Sequence, residues 1–249
     1  MDFLIYNPSG TTLVGRAHYV IMQEGGFITI DGRNNYLDGE YDVEHDLLKT
    51  VDSGPPRLVT YQHSFFDPQG KPQIIAYADL PGGKGSCAVY HGGKGTIETA
   101  DLDFPPDTYA GSAVLVPIAE QMRRAAADLD ISVFDCAAGP RLLTLHADLT
   151  RSPWRFLPHH GQLAKADARP VFGWFNVFLK PFVPEIRLWF DPLRGYSFVG
   201  GTLSRYYRGP EILLVSTAPP GEKNPPAFER VKPPVLTMPR DGARAAPAS

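Results

Sequence analysis

A chain of 249 residues with 24 Lys and Arg against 27 Asp and Glu has a formal charge of −3 and no broad positive field, which excludes nucleic acid as an expected partner. Its hydrophobic share of 43% is that of a folded chain able to bury a core without staples, and no run approaches the roughly 18 apolar residues of a helical membrane span. Twenty-five prolines and 24 glycines favour many turns over long helices.

The opening stretch MDFLIYNPSG lacks the basic region, long apolar run and small-residue cleavage site of a signal peptide. It leaves two compartments open: a cytoplasmic protein, or a periplasmic or cell-envelope domain whose leader has been replaced by Met1. From there to Phe104 the pattern alternates as strands do, Ala17, Tyr19 and Ile21 against Arg16, His18 and Val20. Strands are predicted over 11–22, 26–35, 38–48, 57–67, 73–80, 85–91 and 95–102. Turn clusters separate them at Gly25-Gly26, Asp31-Gly32, Asp38-Gly39, Ser53-Gly54-Pro55-Pro56 and Pro68-Gln69-Gly70. Connections this short exclude the crossover helices of a doubly wound nucleotide fold.

Within this half, EYDVEHDLL puts Glu40, Asp42, Glu44 and Asp46 on one strand face. We read it as a solvated, charged face; paired carboxylates for acid/base work on a glycoside are the catalytic alternative. Tyr61 and His63 share a face in the same way. The repeated GGKG before Ser86 and Thr96 is not a phosphate cradle, because each Lys is followed by Gly and neither stretch opens a helix. Gly82-Gly83 and Gly92-Gly93 are read as two turns, with positive φ, around one short strand.

One helix is predicted, over about 108–127 in DTYAGSAVLVPIAEQMRRAA, with Asp107 or Thr108 as cap and Leu115, Ile118, Ala119 and Met122 at helical spacing. Pro117 demands a kink, or a first turn before it and the main helix after it. Strands resume over 129–136, 140–149, 154–163, 170–180, 185–191, 196–207 and 211–217. In VFGWFNVFLK both alternating sets are apolar, so that strand needs cover on both sides. From Ala218 the Pro- and Ala-rich tail has little to bury and is expected to be disordered or draped on the surface.

No GxSxG elbow is present, and no HExxH or CxxC; His146 with Asp148 is a bare i, i+2 pair, so no metal and no cofactor is expected. The Arg–aromatic stretches RSPWRFLPHHG and LSRYYRG suit a carbohydrate, an anionic headgroup or a protein partner; the alternative is aromatic packing under Arg stems. Cys87 and Cys136 are compatible with one disulfide or with two buried thiols.

The segment LDFPPDTYAGSAVLVPIAEQM, midway between two β halves, and the later EIRLWFDPLRGYSFVGGTLSRYYRGPEILLV resemble a family of bacterial cell-envelope β domains. The resemblance covers residues 11 to 217. It implies an open, highly curved antiparallel sheet, similar to the half-barrels of lipoprotein-localisation carriers, with a helix in the concavity. It implies no catalytic residue.

The sequence therefore predicts an all-β fold: a curved antiparallel sheet or unclosed barrel with one central helix. Residues 1–217 form one domain of two β halves, about 1–104 and 129–217, and 218–249 form the tail. The expected function is non-enzymatic binding or structure, with a groove for a lipid-like or polysaccharide ligand lined by Phe172, Trp174, Phe178, Trp189 and Tyr109. A protein partner is the other expected occupant. The competing expectation is a hydrolase or lyase acting on a carbohydrate polymer, through the carboxylates at 40–46 or through Tyr61 and His63.

Overall fold

All but one of the described turn clusters join neighbouring strands as expected; the exception is Asp31-Gly32, which lies inside a strand. The computed structural model describes residues 1–91, 94–153, 162–171, 186–205 and 209–217. The strands of the first half are β1 (Asp2–Tyr6), β2 (Leu13–Glu24), β3 (Phe27–Tyr36), β4 (Tyr41–Lys49), β5 (Arg57–Phe66), β6 (Pro72–Asp79), β7 (Lys84–His91) and β8 (Lys94–Asp101). Those of the second are β9 (Thr108–Tyr109), β10 (Asp128–Asp135), β11 (Arg141–Pro153), β12 (Gln162–Val171), β13 (Ile186–Asp191), β14 (Ser197–Ser204) and β15 (Glu211–Ser216). Gly32 stays in β3 because its bare Cα is needed there: a Cβ would lie 2.5 Å from the Tyr19 ring.

These strands make a single fifteen-stranded sheet in the order β8 to β1, then β15 back to β9. Every neighbouring pair is antiparallel except β9 with β10. β1, from the opening stretch where no strand is predicted, pairs with β2 on one side and β15 on the other. Phe3 and Ile5, both buried, face Ala17, Ile212 and Leu214 there, a core that alternation in five residues is too short to announce.

Among the described residues the sheet is not closed by hydrogen bonds. Its two ends, β8 and β9, are drawn together instead by the Cys87–Cys136 disulfide, which links β7 to the residue after β10. Of the two states the sequence leaves open for these cysteines, the structure has the bonded one. Phe134 packs beside it over Gly85, where a Cβ would come within 2.7 Å of the ring. The fold is all-β: among the described residues, one unclosed, barrel-like sheet with one short α-helix.

That helix, α1, spans Leu115–Arg123, shorter at both ends than the predicted 108–127. Thr108 belongs to β9, and Gly111–Val114 is a 3-10 turn leading into α1. Pro117 falls in the first turn of α1, where its missing N–H has no intrahelical partner to lose. Neither Asp107 nor Thr108 caps the helix, whose N-cap is Val114 without a side-chain bond. Ile118, Ala119 and Met122 bury against Ala164, Ala166, Leu188 and Phe190 on β12 and β13. No helix among the described residues is long and apolar enough to cross a membrane.

β12 occupies the turn expected between the 154–163 and 170–180 candidates, and β11 runs on to Pro153. The strand predicted to be apolar on both faces lies, after Val171, outside the described residues, as do Gly92-Gly93 and the tail from 218. At the first GGKG, Gly83 has the expected positive φ of 64° and closes the β6–β7 turn.

Candidate functional site

The acidic face of β4 points inward. Asp42 and Asp46 are buried, at 1% and 0% exposure, and Glu44 lies between them on the same face, which corrects the reading of this stretch as solvated. Burial of ionised groups is tolerated only with partners, and neighbouring strands supply them in register. Asn34 and Tyr36 on β3 donate to the two oxygens of Asp42 at 2.8 and 3.0 Å, and His63 on β5 places Nε2 3.2 Å from the same carboxylate.

The other two acids reach across the interior. Ser112 donates its backbone N–H to Glu44, and Ala113 donates its own to Asp46 Oδ2 at 3.0 Å. Both amides lie at the start of a helical segment, where N–H groups carry partial positive charge and suit a carboxylate; that of Ala113 is shared with the Ala110 carbonyl at 3.1 Å. β4 thus supplies the capping groups that Asp107 and Thr108 do not. Gly111, at φ 48°, makes the approach possible: a Cβ there would lie 2.2 Å from Glu44 Oε1 and 2.6 Å from the Tyr61 ring. Tyr61, predicted to share a face with His63, does so, and is itself buried against Phe134.

The electrostatics follow from this enclosure. Burial, reinforced by Glu44, holds the Asp46 carboxyl well above the usual range. Burial alone would depress His63, yet the hydrogen bond and charge of Asp42 leave it raised. Burial, then the Asp42 charge, also raises the Tyr36 phenol. On the other side of Tyr36, the Arg205 guanidinium lies 3.6 Å from the ring centroid while binding Asp38 at 2.9 and 3.1 Å and Glu40 at 2.7 Å. Of the Arg–aromatic stretches, Arg205 therefore stacks on rings contributed by β3 and β5.

Of the predicted groove residues, Tyr109 and Trp189 fall among the described residues, in different clusters. Tyr109 is buried beside Tyr61 and Phe134; its hydroxyl donates to the Pro56 carbonyl at 2.9 Å, and burial pushes it up to about 12. Trp189 sits in a separate cluster with Leu163, Val199, Leu213, Val215 and Tyr6, with Lys165 5.7 Å from its ring. Phe172, Trp174 and Phe178 lie outside the described residues. His146 is held by Asp130 at 2.7 Å and Asp148 at 3.2 Å, and no group able to hold a metal occurs among the described residues.

No family model matches the chain, and no curated protein does. A solved structure, a β-barrel-like protein of the domain of unknown function DUF1849 from Brucella abortus, is similar over 86% of this chain and 94% of that one, at 13% identity and a TM-score of 0.49.

Proposed function

We propose that the chain is a non-enzymatic cell-envelope protein whose curved sheet receives a lipid-like ligand in the trough that α1 occupies. The observation that carries this reading is the occupation of the interior carboxylates. Glu44 and Asp46 hold the 3-10 turn and Asp42 is held by Asn34, Tyr36 and His63, so the acids serve to seat a segment in the concavity. The wall beneath α1 is apolar and shallow, with Ala164 and Ala166 beside Leu188 and Phe190. Small residues there leave width that Ile118, Ala119 and Met122 fill and that an alkyl chain would fill equally well. A hydrolase or lyase would need a pair of carboxylates facing open space, and the β4 acids are engaged. The disulfide favours an oxidising compartment, the periplasm or the cell envelope.

Thermal-shift measurements with single-chain amphiphiles of graded length, and with oligosaccharides in parallel, test the reading. A stabilisation that grows with alkyl length and saturates is expected. Stabilisation by oligosaccharides alone would favour the polymer-directed alternative, and no shift with any amphiphile would overturn the lipid reading.

A further inference from the structure

The two oxygens of Asp46 are unequally provided for. Oδ2 accepts the Ala113 N–H at 3.0 Å, whereas Oδ1, wholly buried, meets no hydrogen-bond donor among the described residues. Glu44, two residues back on the same strand face, uses Oε1 on the Ser112 N–H. Strand and turn thus bring two carboxyls together with too few donors for two enclosed charges.

The surrounding elements do not make good the shortfall. Asp46 is opposite Ile30 on β3 and Tyr61 on β5, and the nearby Asp31 adds negative charge. His63 is engaged by Asp42, and Tyr19, beside Asp42 and Glu44, is a phenol that burial keeps protonated. Tyr109 donates to the Pro56 carbonyl. The turn over the pair, Gly111–Val114, has no charged side chain, and Glu120, Arg123 and Arg124 of α1 pair with one another.

We propose that Asp46 carries a proton on Oδ1, donates it as a hydrogen bond to Glu44, and so latches the Gly111–Val114 turn to β4; when that proton leaves to solvent, the turn lifts and the start of α1 follows. Protonated, Oδ1 is a donor, and one charge remains for the two turn amides. Ionised, it is an anion without a donor beside a like charge, and only water can hydrate it. Water reaches it when the turn moves, because Gly111 and Ala113 lie against the pair. A proton held more tightly with the turn seated than with it lifted makes lifting more favourable as pH rises, by up to tenfold per pH unit from about 4 until the seated group's own raised value is passed. The latch stands on the turn alone; that its release opens the trough to a ligand rests on the lipid reading above.

The test is hydrogen exchange of the Ser112 and Ala113 amides in the full chain between pH 5 and 9, without ligand and corrected for intrinsic exchange, together with infrared spectroscopy of protonated carboxyls. Protection of these two amides should fall with pH by up to tenfold per unit, more steeply than that of amides in β12. A protonated-carboxyl band should persist where ordinary carboxyls are ionised, and be missing in Asp46→Asn. That variant keeps the acceptor for Ala113 and a donor for Glu44, so its turn amides should stay protected throughout. Glu44→Gln, which offers Oδ1 an amide donor and keeps the Ser112 bond, should move the fall to lower pH, and serves if Asp46→Asn does not fold. His63→Gln should leave the fall in place. Turn protection independent of pH in the parent, a fall unchanged in both carboxyl variants, a fall abolished in His63→Gln, or no persistent carboxyl band would overturn the latch, whatever amphiphiles do to the melting temperature.

Discussion

Asp46, wholly buried on β4, accepts the backbone N–H of Ala113 across 67 residues of chain. Deleting that side chain removes one of the two acceptors of this N–H, the other being the Ala110 carbonyl at 3.1 Å, and empties a wholly buried site, together costing about 1–3 kcal/mol. Asp46→Ala should lose about that much in urea unfolding. Asp46→Asn, whose amide oxygen keeps the bond and which carries no charge to bury, should fall within about 1 kcal/mol of the parent.

Gly111 and Gly195 both have positive φ, 48° and 62°, but only Gly111 is enclosed. Gly195→Ala has nothing within 4 Å of the new Cβ and should cost about 1 kcal/mol, the strain of the left-handed region alone. Gly111→Ala adds a collision with Glu44 and Tyr61 and should cost at least twice as much, read as the difference in melting temperature between the two variants.

The disulfide joins cysteines 49 residues apart in the chain, a loop whose closure in the unfolded state corresponds to about 4 kcal/mol. Cys87→Ser with Cys136→Ser should therefore lower the denaturation midpoint strongly, and reduction of the parent should reproduce that loss. A variant as stable as the oxidised parent would show that the sheet ends hold together by packing alone.

Stability should decline as pH rises from mildly acidic values. The raised His63 pKa means that the folded state holds a proton the unfolded state has released; its contribution is full below about 6.5 and is lost as pH climbs through the folded value. Asp46, also raised, penalises the fold in the same direction above about 4. Asp38, lowered by its Arg205 hydrogen bond, works oppositely, and its contribution is lost as pH falls through its depressed value. Melting temperatures from pH 4 to 9 should fall on the alkaline side, and His63→Gln should flatten that slope above pH 6.

The meander was legible because its punctuation is local: Gly25-Gly26, Asp38-Gly39 and Pro68-Gln69-Gly70 turn the chain wherever they stand. The orientation of β4 was not. Tyr41, Val43 and Leu47 make its odd face the more apolar, so hydropathy alone turns the acids outward. Their partners, Asn34, Tyr36 and His63 and the amides of Ser112 and Ala113, come from other strands and from 67 residues downstream. The available signal was correlated rather than local: polar hydrogen-bonding residues recurring at matched positions of three successive strands, and a glycine just ahead of an otherwise apolar helical run. β1 escaped for a related reason, since a five-residue strand acquires its meaning from pairing with β15, its neighbour in the sheet but far away along the chain.

That pairing of the earliest strand with the latest bears on biosynthesis. On the ribosome, Phe3 and Ile5 emerge long before Ile212 and Leu214, which cover them. Until β15 has been made, the nascent sheet must carry an open seam beside β1, down the middle of the sheet.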